Sequence, residues 1–202
     1  MAPVTPDAAK MREFLDRQAF EQWLRTHHDK SDELWLKFHK KGSGLPSVSI
    51  GEALDVVLCW GWIDGIRKAF DDKSYLQRYV PRRHKSIWSQ INRDHVERLI
   101  KEGRMQPAGL RQVEAAKADG RWDKAYASAR TMEVPADLLA AIEDEPKALD
   151  LFQRLTSQNR YSLAFRVHNM KTEAGRKKKI ASFVEMLKRG ETIYPNGAPK
   201  KQ

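Results

Sequence analysis

A chain of 202 residues is long enough for one large or two small domains, and its 41% hydrophobic content, with six tryptophans and seven phenylalanines, is ample for a packed core. Its longest apolar runs, such as ALDVVLCWGWI, reach about half of the roughly 20 residues that a membrane-spanning helix needs, and this run contains Asp55. The first residues, MAPVTPDAAKMREF, contain no hydrophobic signal region. We therefore expect a cytoplasmic protein with no integral membrane segment.

The chain is strongly basic and has a single cysteine. A net charge of +10 attracts polyanions such as nucleic acid or an anionic lipid surface, without choosing between them. Cys59 has no second cysteine for an internal disulfide and lies between Leu58 and Trp60, which indicates a buried, reduced thiol. No motif sets the oligomeric state.

The first predicted element is a helix that follows a proline-containing tail. Asp16 is placed to cap it, and the apolar stripe that faces the core comprises Phe20, Trp23, Leu24 and His27. The next segment, ELWLKFHK, alternates as a half-buried strand does. GSGLPS has the composition of a loop, and Ile50 to Trp60 form a buried helix that Gly61 ends.

Two extended runs and two helices complete this part of the chain. IDGIRKAF and SYLQRYV are separated by polar residues and predict a β-hairpin, which joins ELWLKFHK in a small, mainly antiparallel sheet. Ser86 is predicted to cap a helix that starts at Ile87, ends before Gly103 and turns one face inward, comprising Trp88, Ile91, His95 and Leu99. A further helix runs from Pro107 to Gly120.

From about residue 131 the sequence has helical periods only. Four amphipathic helices are predicted, with the inward-facing sets Leu138 and Ile142; Ala148, Leu151, Phe152 and Leu155; Tyr161, Ala164, Phe165 and His168; and Ile180, Phe183, Val184 and Leu187. The fold class is therefore α+β: a part over 1–130 with the small sheet, a helical bundle-like part over 131–190, and a loose tail over 191–202.

No familiar catalytic or metal-binding motif is present. The histidines and aspartates near residues 27–39 have neither paired cysteines nor HExxH spacing, and the glycines of KKGSGLP match no nucleotide-binding loop. We predict no metal site and no cofactor, and the sequence does not decide whether the protein is an enzyme.

The segment CWGWIDG places Asp64 where a helix gives way to the hairpin. One interpretation is a packed aromatic corner in which the carboxylate caps or turns the chain. The other is an acidic group at a pocket rim that faces the arginines further along, with Arg82 or Arg83 as its partner.

The segment RYVPRRHKSIWSQIN concentrates positive charge directly before a predicted helix N-terminus. The unpaired N–H groups there favour a phosphate or carboxylate, which gives these ligand-binding candidates besides Asp64: Arg78, Arg82, Arg83, Lys85, Ser86, Trp88 and Ser89. Trp88 has two interpretations, stacking on a ligand ring or burial in the core. The cations likewise are either an anion-docking site or a solvated loop.

Several longer stretches together resemble a known family. FEQWLRTHHDKSDELWLKFHKKGSG, EALDVVLCWGWIDGIRK, YLQRYVPRRHKSIWSQIN, GRMQPAGLRQVEAAKADGRWDKAY and VPADLLAAIEDEPKALDLFQRL look like the bacterial YdeI/OmpD-associated family, also labelled bacteriocin-protection proteins, over about residues 14 to 190. The resemblance implies association with an outer-membrane porin and tolerance of antimicrobial peptides, and it brings no established reaction, cofactor or catalytic residue.

Three function classes follow. The first is a stress-protection protein that binds an anionic small molecule or a polyanion through the region from Arg78 to Trp88. The second is an enzyme with a small anionic substrate in a pocket near Asp64, where a carboxylate acts as base and arginine holds the anion. The third is a nucleic-acid-binding protein, although no groove-reading motif is present.

Overall fold

The chain forms two units, Met1–Ala125 and Tyr126–Gln202, in a computed structural model that describes residues 4–128 and 131–196. The first unit contains a four-stranded sheet and the second contains helices only within these residues, so the fold is α+β as predicted. None of the helices in the described ranges is both long and apolar enough to cross a membrane.

The sheet is mainly antiparallel, in the order β1-β2-β4-β3. Its strands are β1 Met11–Arg12, β2 Leu34–His39, β3 Trp62–Ala69 and β4 Ser74–Pro81. The predicted hairpin is confirmed as β3 and β4, and β2 pairs antiparallel with β4. The short β1 was not predicted. Because it pairs parallel with β2, β2 becomes an interior strand. Trp35 on β2 is fully buried, so this strand is more buried than the predicted half-buried one.

The described residues of the first unit also form four helices. They are α1 Arg17–His27, α2 Ile50–Cys59, α3 Gln90–Lys101 and α4 Pro107–Ala118, of which α2 packs against β3. The predicted cap is confirmed, since the Asp16 side chain accepts from the backbone N–H of Ala19. Ser49 and Glu52 form a capping box at α2, and the helix ends before Gly61, whose φ of 74° favours glycine.

The prediction that Ser86 caps a helix from Ile87 is wrong. Helix α3 begins three residues later, and Ser89 is its cap, accepting from the N–H of Asn92. The Ser86 hydroxyl instead accepts from the N–H of Arg83 and closes a turn. Trp88 is therefore outside the helix, and its ring is buried against Arg82 and Trp122. This tertiary packing determines that Ser89 rather than Ser86 caps the helix.

The inward face of α3 also differs from the predicted one. The buried residues are Asn92, Val96 and Leu99, whereas Ile91 is 47% exposed. The predicted stripe counted Trp88 as its first member. Since Trp88 lies outside the helix, the face that meets the core is rotated relative to the prediction.

Four helices are present in the described part of the second unit, as predicted. They are α5 Ala136–Glu143, α6 Pro146–Gln153, α7 Ser157–His168 and α8 Glu173–Lys188. Their core is a single cluster that includes Leu138, Ile142, Ala148, Phe152, Leu155, Leu163, Val167, Ile180, Phe183, Val184 and Leu187. The stripes predicted for α5 and α8 are buried in it.

The inward face predicted for α7 is wrong in part. Leu163, Ala164 and Val167 are buried, with Asn159 and Ser162, rather than the aromatic stripe that includes Tyr161 and Phe165. The reason is the chain after α8: the Asn159 amide donates to the carbonyl of Tyr194, 3.0 Å away. A polar side chain thus occupies the inner face. The predicted tail is described to residue 196, and residues 197–202 lie outside the described part.

Candidate functional site

A small cavity lies on the face of the sheet that packs against α2 and α3. It has a volume of about 170 Å³ and is lined by Ile50, Gly51, Leu54, Asp64, Arg67, Gln77, Tyr79 and His95. We call this cavity the Asp64 pocket. It combines one carboxylate, one guanidinium, one imidazole, one amide and one phenol.

An irregularity in β3 brings Asp64 and Arg67 together. Asp64 pairs with Tyr79 and Arg67 with Gln77, so β3 advances three residues while β4 advances two. In a regular strand, residues three apart point to opposite faces. The extra residue is a β-bulge, which returns both side chains to one face. The bulge therefore places the Asp64 carboxylate and the Arg67 guanidinium in the same pocket.

Gln77 holds this bulge in place. Its side chain is buried, and its amide donates to the carbonyls of Gly65 at 2.9 Å and Ile66 at 3.3 Å. A bulge leaves backbone groups without their ladder partners, and the Gln77 amide supplies a donor to two of them. The amide oxygen of Gln77 also accepts from Nε of Arg67 at 3.2 Å. One side chain thus supports both the strand and the arginine.

Arg67 is fixed from a second direction by Tyr75. The guanidinium carbon lies 4.7 Å from the centroid of the Tyr75 ring, a cation–π arrangement. The side chain is exposed overall, so its remaining N–H groups are open to a ligand. Nearby, burial and the Asp64 carboxylate raise the pKa of Tyr79, which keeps its hydroxyl neutral.

His95 reaches the pocket from α3 and is oriented by Asp55 on α2. Its Nδ1 lies 2.7 Å from Oδ1 of Asp55. Arg98 donates to the same carboxylate at 2.6 Å, and Arg104 lies 3.6 Å from it. Burial opposes ionisation of Asp55, but the hydrogen bonds from Arg98 and His95 outweigh it, so its pKa lies below the ordinary value. A carboxylate on Nδ1 leaves Nε2 for a ligand.

The geometry suits a ligand with a negatively charged group. Arg67 and His95 offer donors, and hydrogen bonds from charged donors are shorter and stronger than neutral ones. Asp64 offers an acceptor on the same face. When the anionic group of a ligand accepts hydrogen bonds from Arg67 and His95, a neighbouring hydrogen-bond donor on that ligand would find its acceptor in Asp64.

The predicted arginines occupy other positions. The lining of the Asp64 pocket does not include Arg78, Arg82 or Arg83. Arg78 donates to Glu33, with Nε 2.6 Å from Oε2. The arginine that lines the cavity with Asp64 is thus Arg67.

Arg82 and Trp88 form an interior pair. Arg82 is only 4% exposed, and its guanidinium lies 3.6 Å from the centroid of the Trp88 ring. Its Nη1 donates to the carbonyl of Ile87 at 3.0 Å. Trp88, 2% exposed, also packs edge-on against Trp122 at 4.9 Å. Of the two interpretations of Trp88, burial in the core is the one that the structure confirms.

The remaining candidates lie on the loop before α3. Arg83 and Lys85 are exposed. Ser86 is half-buried, and its carbonyl accepts from Nη1 of Arg121 at 2.8 Å. Ser89 caps α3. The segment therefore combines structural contacts with two outward-facing cations.

Sequence reasoning missed Arg67, Gln77, Tyr79 and the pair of His95 with Asp55. One signal was available: a carboxylate inside the apolar run ALDVVLCW has to find a partner. The partner itself lies forty residues away on another helix, beyond any local pattern.

The other groups considered for chemistry have structural surroundings. Cys59 is buried, which raises the pKa of its thiol to about 12, as expected of an inert core cysteine. Within residues 4–128 and 131–196, no three His, Cys, Asp or Glu side chains are grouped to hold a metal ion.

Two family models match the chain. Residues 12–112 match the model described as Domain of unknown function (DUF8412). Residues 131–190 match the model described as Bacteriocin-protection, YdeI or OmpD-Associated. No curated protein and no solved structure is significantly similar to the chain. The chain thus belongs to the DUF8412 family, whose model covers half of it, and the partial match over residues 131–190 supports the resemblance to the YdeI/OmpD-associated, bacteriocin-protection family that the sequence motifs predicted.

Proposed function

We propose that this protein binds a small molecule with an anionic group in the Asp64 pocket. The observation that carries the proposal is the convergence of Arg67 and His95 on one cavity that also holds a carboxylate. Concave sites with a few convergent polar groups are the usual form of small-molecule sites.

Pre-organisation supports this function. Gln77 and Tyr75 hold the guanidinium of Arg67, and Asp55 holds the imidazole of His95. Groups that are already ordered lose little conformational entropy when a ligand binds, so more of the interaction energy appears as affinity.

The biological role that we propose is protection of a bacterial cell under stress, of the kind that the description of the C-terminal family names. With a small-molecule site in the N-terminal unit, this protection would depend on whether the ligand is bound. The cytoplasmic location expected from the sequence is part of this proposal.

The test is an NMR titration that measures the binding of acetate and of inorganic phosphate to the intact protein. Arg67→Gln should weaken binding by about ten- to a hundredfold, because a hydrogen bond to a charged group contributes about 1.5–3 kcal/mol. Arg111→Gln, at an exposed position on α4, is the matched control and should bind as the parent does. Equal affinities for the parent and Arg67→Gln would refute the proposal.

A second candidate function is catalysis in the same pocket. Its support is the pair of Asp55 and His95, since a carboxylate that orients an imidazole is the arrangement of a general base. Native mass spectrometry of protein purified from its own cells tests this. His95→Gln should retain an unreacted small molecule that the parent has lost or converted, and identical retained molecules in both would count against catalysis.

Polyanion or nucleic-acid binding is a separate candidate, supported by the exposure of Arg83 and Lys85. If both cations contact phosphates of a DNA duplex, the log-log slope of affinity against salt should be less steep by about 1.8 in the double Gln variant, at about 0.9 per phosphate. An unchanged slope would place any polyanion contact elsewhere.

A further inference from the structure

A second and larger cavity adjoins the Asp64 pocket. It has a volume of about 540 Å³ and is lined by Phe38, His39, Lys40, Lys41, Gly42, Ser43, Gly44, Leu45, Ser47, Val48, Ser49, Ile50 and Tyr75. We call it the Phe38–Tyr75 cavity. Its volume falls within the range of about 300–1,000 Å³ that small-molecule sites occupy.

The inner surface of this cavity is apolar. The rings of Phe38 and Tyr75 are stacked, with centroids 5.4 Å apart, and Val48 is buried beside them. Leu45 and Ile50 are 54% and 39% exposed. Apolar side chains grouped around a cavity indicate a binding surface more than isolated exposed ones do.

Two contacts connect this cavity to the Asp64 pocket. Ile50 lines both cavities. The Tyr75 ring lines the apolar cavity and carries the guanidinium of Arg67, which lines the polar pocket. A cationic group thus lies where the apolar cavity meets the polar pocket.

The cationic groups of the apolar cavity itself are mostly engaged elsewhere. Nζ of Lys40 donates to the carbonyls of Asp71 and Asp72, both at 3.1 Å, and Nε2 of His39 is hydrogen-bonded to the carboxylate of Glu13. Lys41 is exposed at the rim. Arg67 is therefore the better placed group for an anion whose apolar part lies against Phe38 and Tyr75.

We infer that the two cavities together bind one amphiphilic carboxylate, with its anionic head at Arg67 and His95 and its alkyl chain in the Phe38–Tyr75 cavity. This inference rests on the proposed function, because it takes the Asp64 pocket as the anion site. It adds the class of ligand: a molecule with a chain of several methylene groups attached to a charged head.

The experiment is an NMR titration of the full chain with butyrate, hexanoate, octanoate and decanoate, below their micelle concentrations. Each buried methylene should tighten binding about fourfold, so octanoate should bind roughly fifteenfold more tightly than hexanoate. Leu45→Asp places a charge in the lining of the alkyl cavity, so it should weaken octanoate and decanoate binding and flatten the dependence on chain length. Leu15→Asp makes the same substitution at a leucine that is 64% exposed and does not line the cavity, and it should behave as the parent.

The outcomes separate this inference from the proposed function. Suppose that butyrate binds, that Arg67→Gln weakens butyrate binding, and that affinity is the same for all chain lengths. The proposed anion site is then supported, and the inference of an amphiphilic ligand is refuted. If affinity rises with chain length but Arg67→Gln has no effect, the head lies elsewhere, with Lys41 as the nearest alternative, and both proposals fail as stated. If Leu45→Asp and Leu15→Asp reduce the chain-length dependence equally, the alkyl chain is not in this cavity.

Discussion

Replacing Gln77 with leucine tests whether one buried amide maintains the bulge that builds the Asp64 pocket. The substitution removes the bonds to the carbonyls of Gly65 and Ile66, at 2.9 and 3.3 Å, and the acceptor for Nε of Arg67 at 3.2 Å. Each ordinary hydrogen bond contributes about 0.5–1.5 kcal/mol net. We expect Gln77→Leu to lower the free energy of unfolding by about 1–3 kcal/mol.

The assay uses tryptophan fluorescence during urea unfolding, because all six tryptophans lie in the unit that contains the pocket. Fluorescence then reports this unit separately from the helical one. Gln22→Leu, at an exposed position on α1, is the control and should change stability by less than about 0.5 kcal/mol. If Gln77→Leu is no more destabilising than the control, the amide does not maintain the bulge.

Three further predictions concern packing and capping. Ser89→Ala should cost about 0.5–2 kcal/mol in the same assay and clearly more than Ser86→Ala; equal losses would contradict the assignment of the cap. Arg82→Gln removes a buried cation–π contact and a charged hydrogen bond, so we expect a loss of about 2–4 kcal/mol, against less than about 0.5 for the exposed Arg83→Gln. Leu187→Ala should cost about 2–5 kcal/mol, measured by far-UV circular dichroism, and a loss below about 0.5 kcal/mol would mean that its side of α8 is not core.

Local signals predicted much of the fold. The Asp16 cap, the glycine after α2 and the hairpin depend on a few neighbouring residues, and the sequence contains all of them. The choice between Ser86 and Ser89 as a cap was different. Both serines precede a helical pattern, and only the packing of Trp88 on Arg82 and Trp122, a tertiary contact, places the start at the second.

The site was predicted only through Asp64. Its partner Arg67 lies on the same face because of a bulge, and a bulge depends on how β3 pairs with β4, which residue order alone does not state. His95 was assigned to an apolar stripe although Asp55 orients it toward the pocket. Arg82 was interpreted as an anion-docking residue, a partner of Asp64 or part of a solvated loop, whereas its guanidinium is buried against the Trp88 ring six residues further along.

The most direct measurement of the central claim is NMR of the histidine imidazoles and the backbone amides while inorganic phosphate is added to the intact protein. Binding in the Asp64 pocket predicts that the imidazole of His95 and the amides around Arg67 shift together, with one saturation curve. It also predicts that the NMR signals of the backbone amides of residues 83–85 do not shift. Shifts confined to residues 83–85, with His95 unchanged, would contradict the claim and place the anion on the loop before α3.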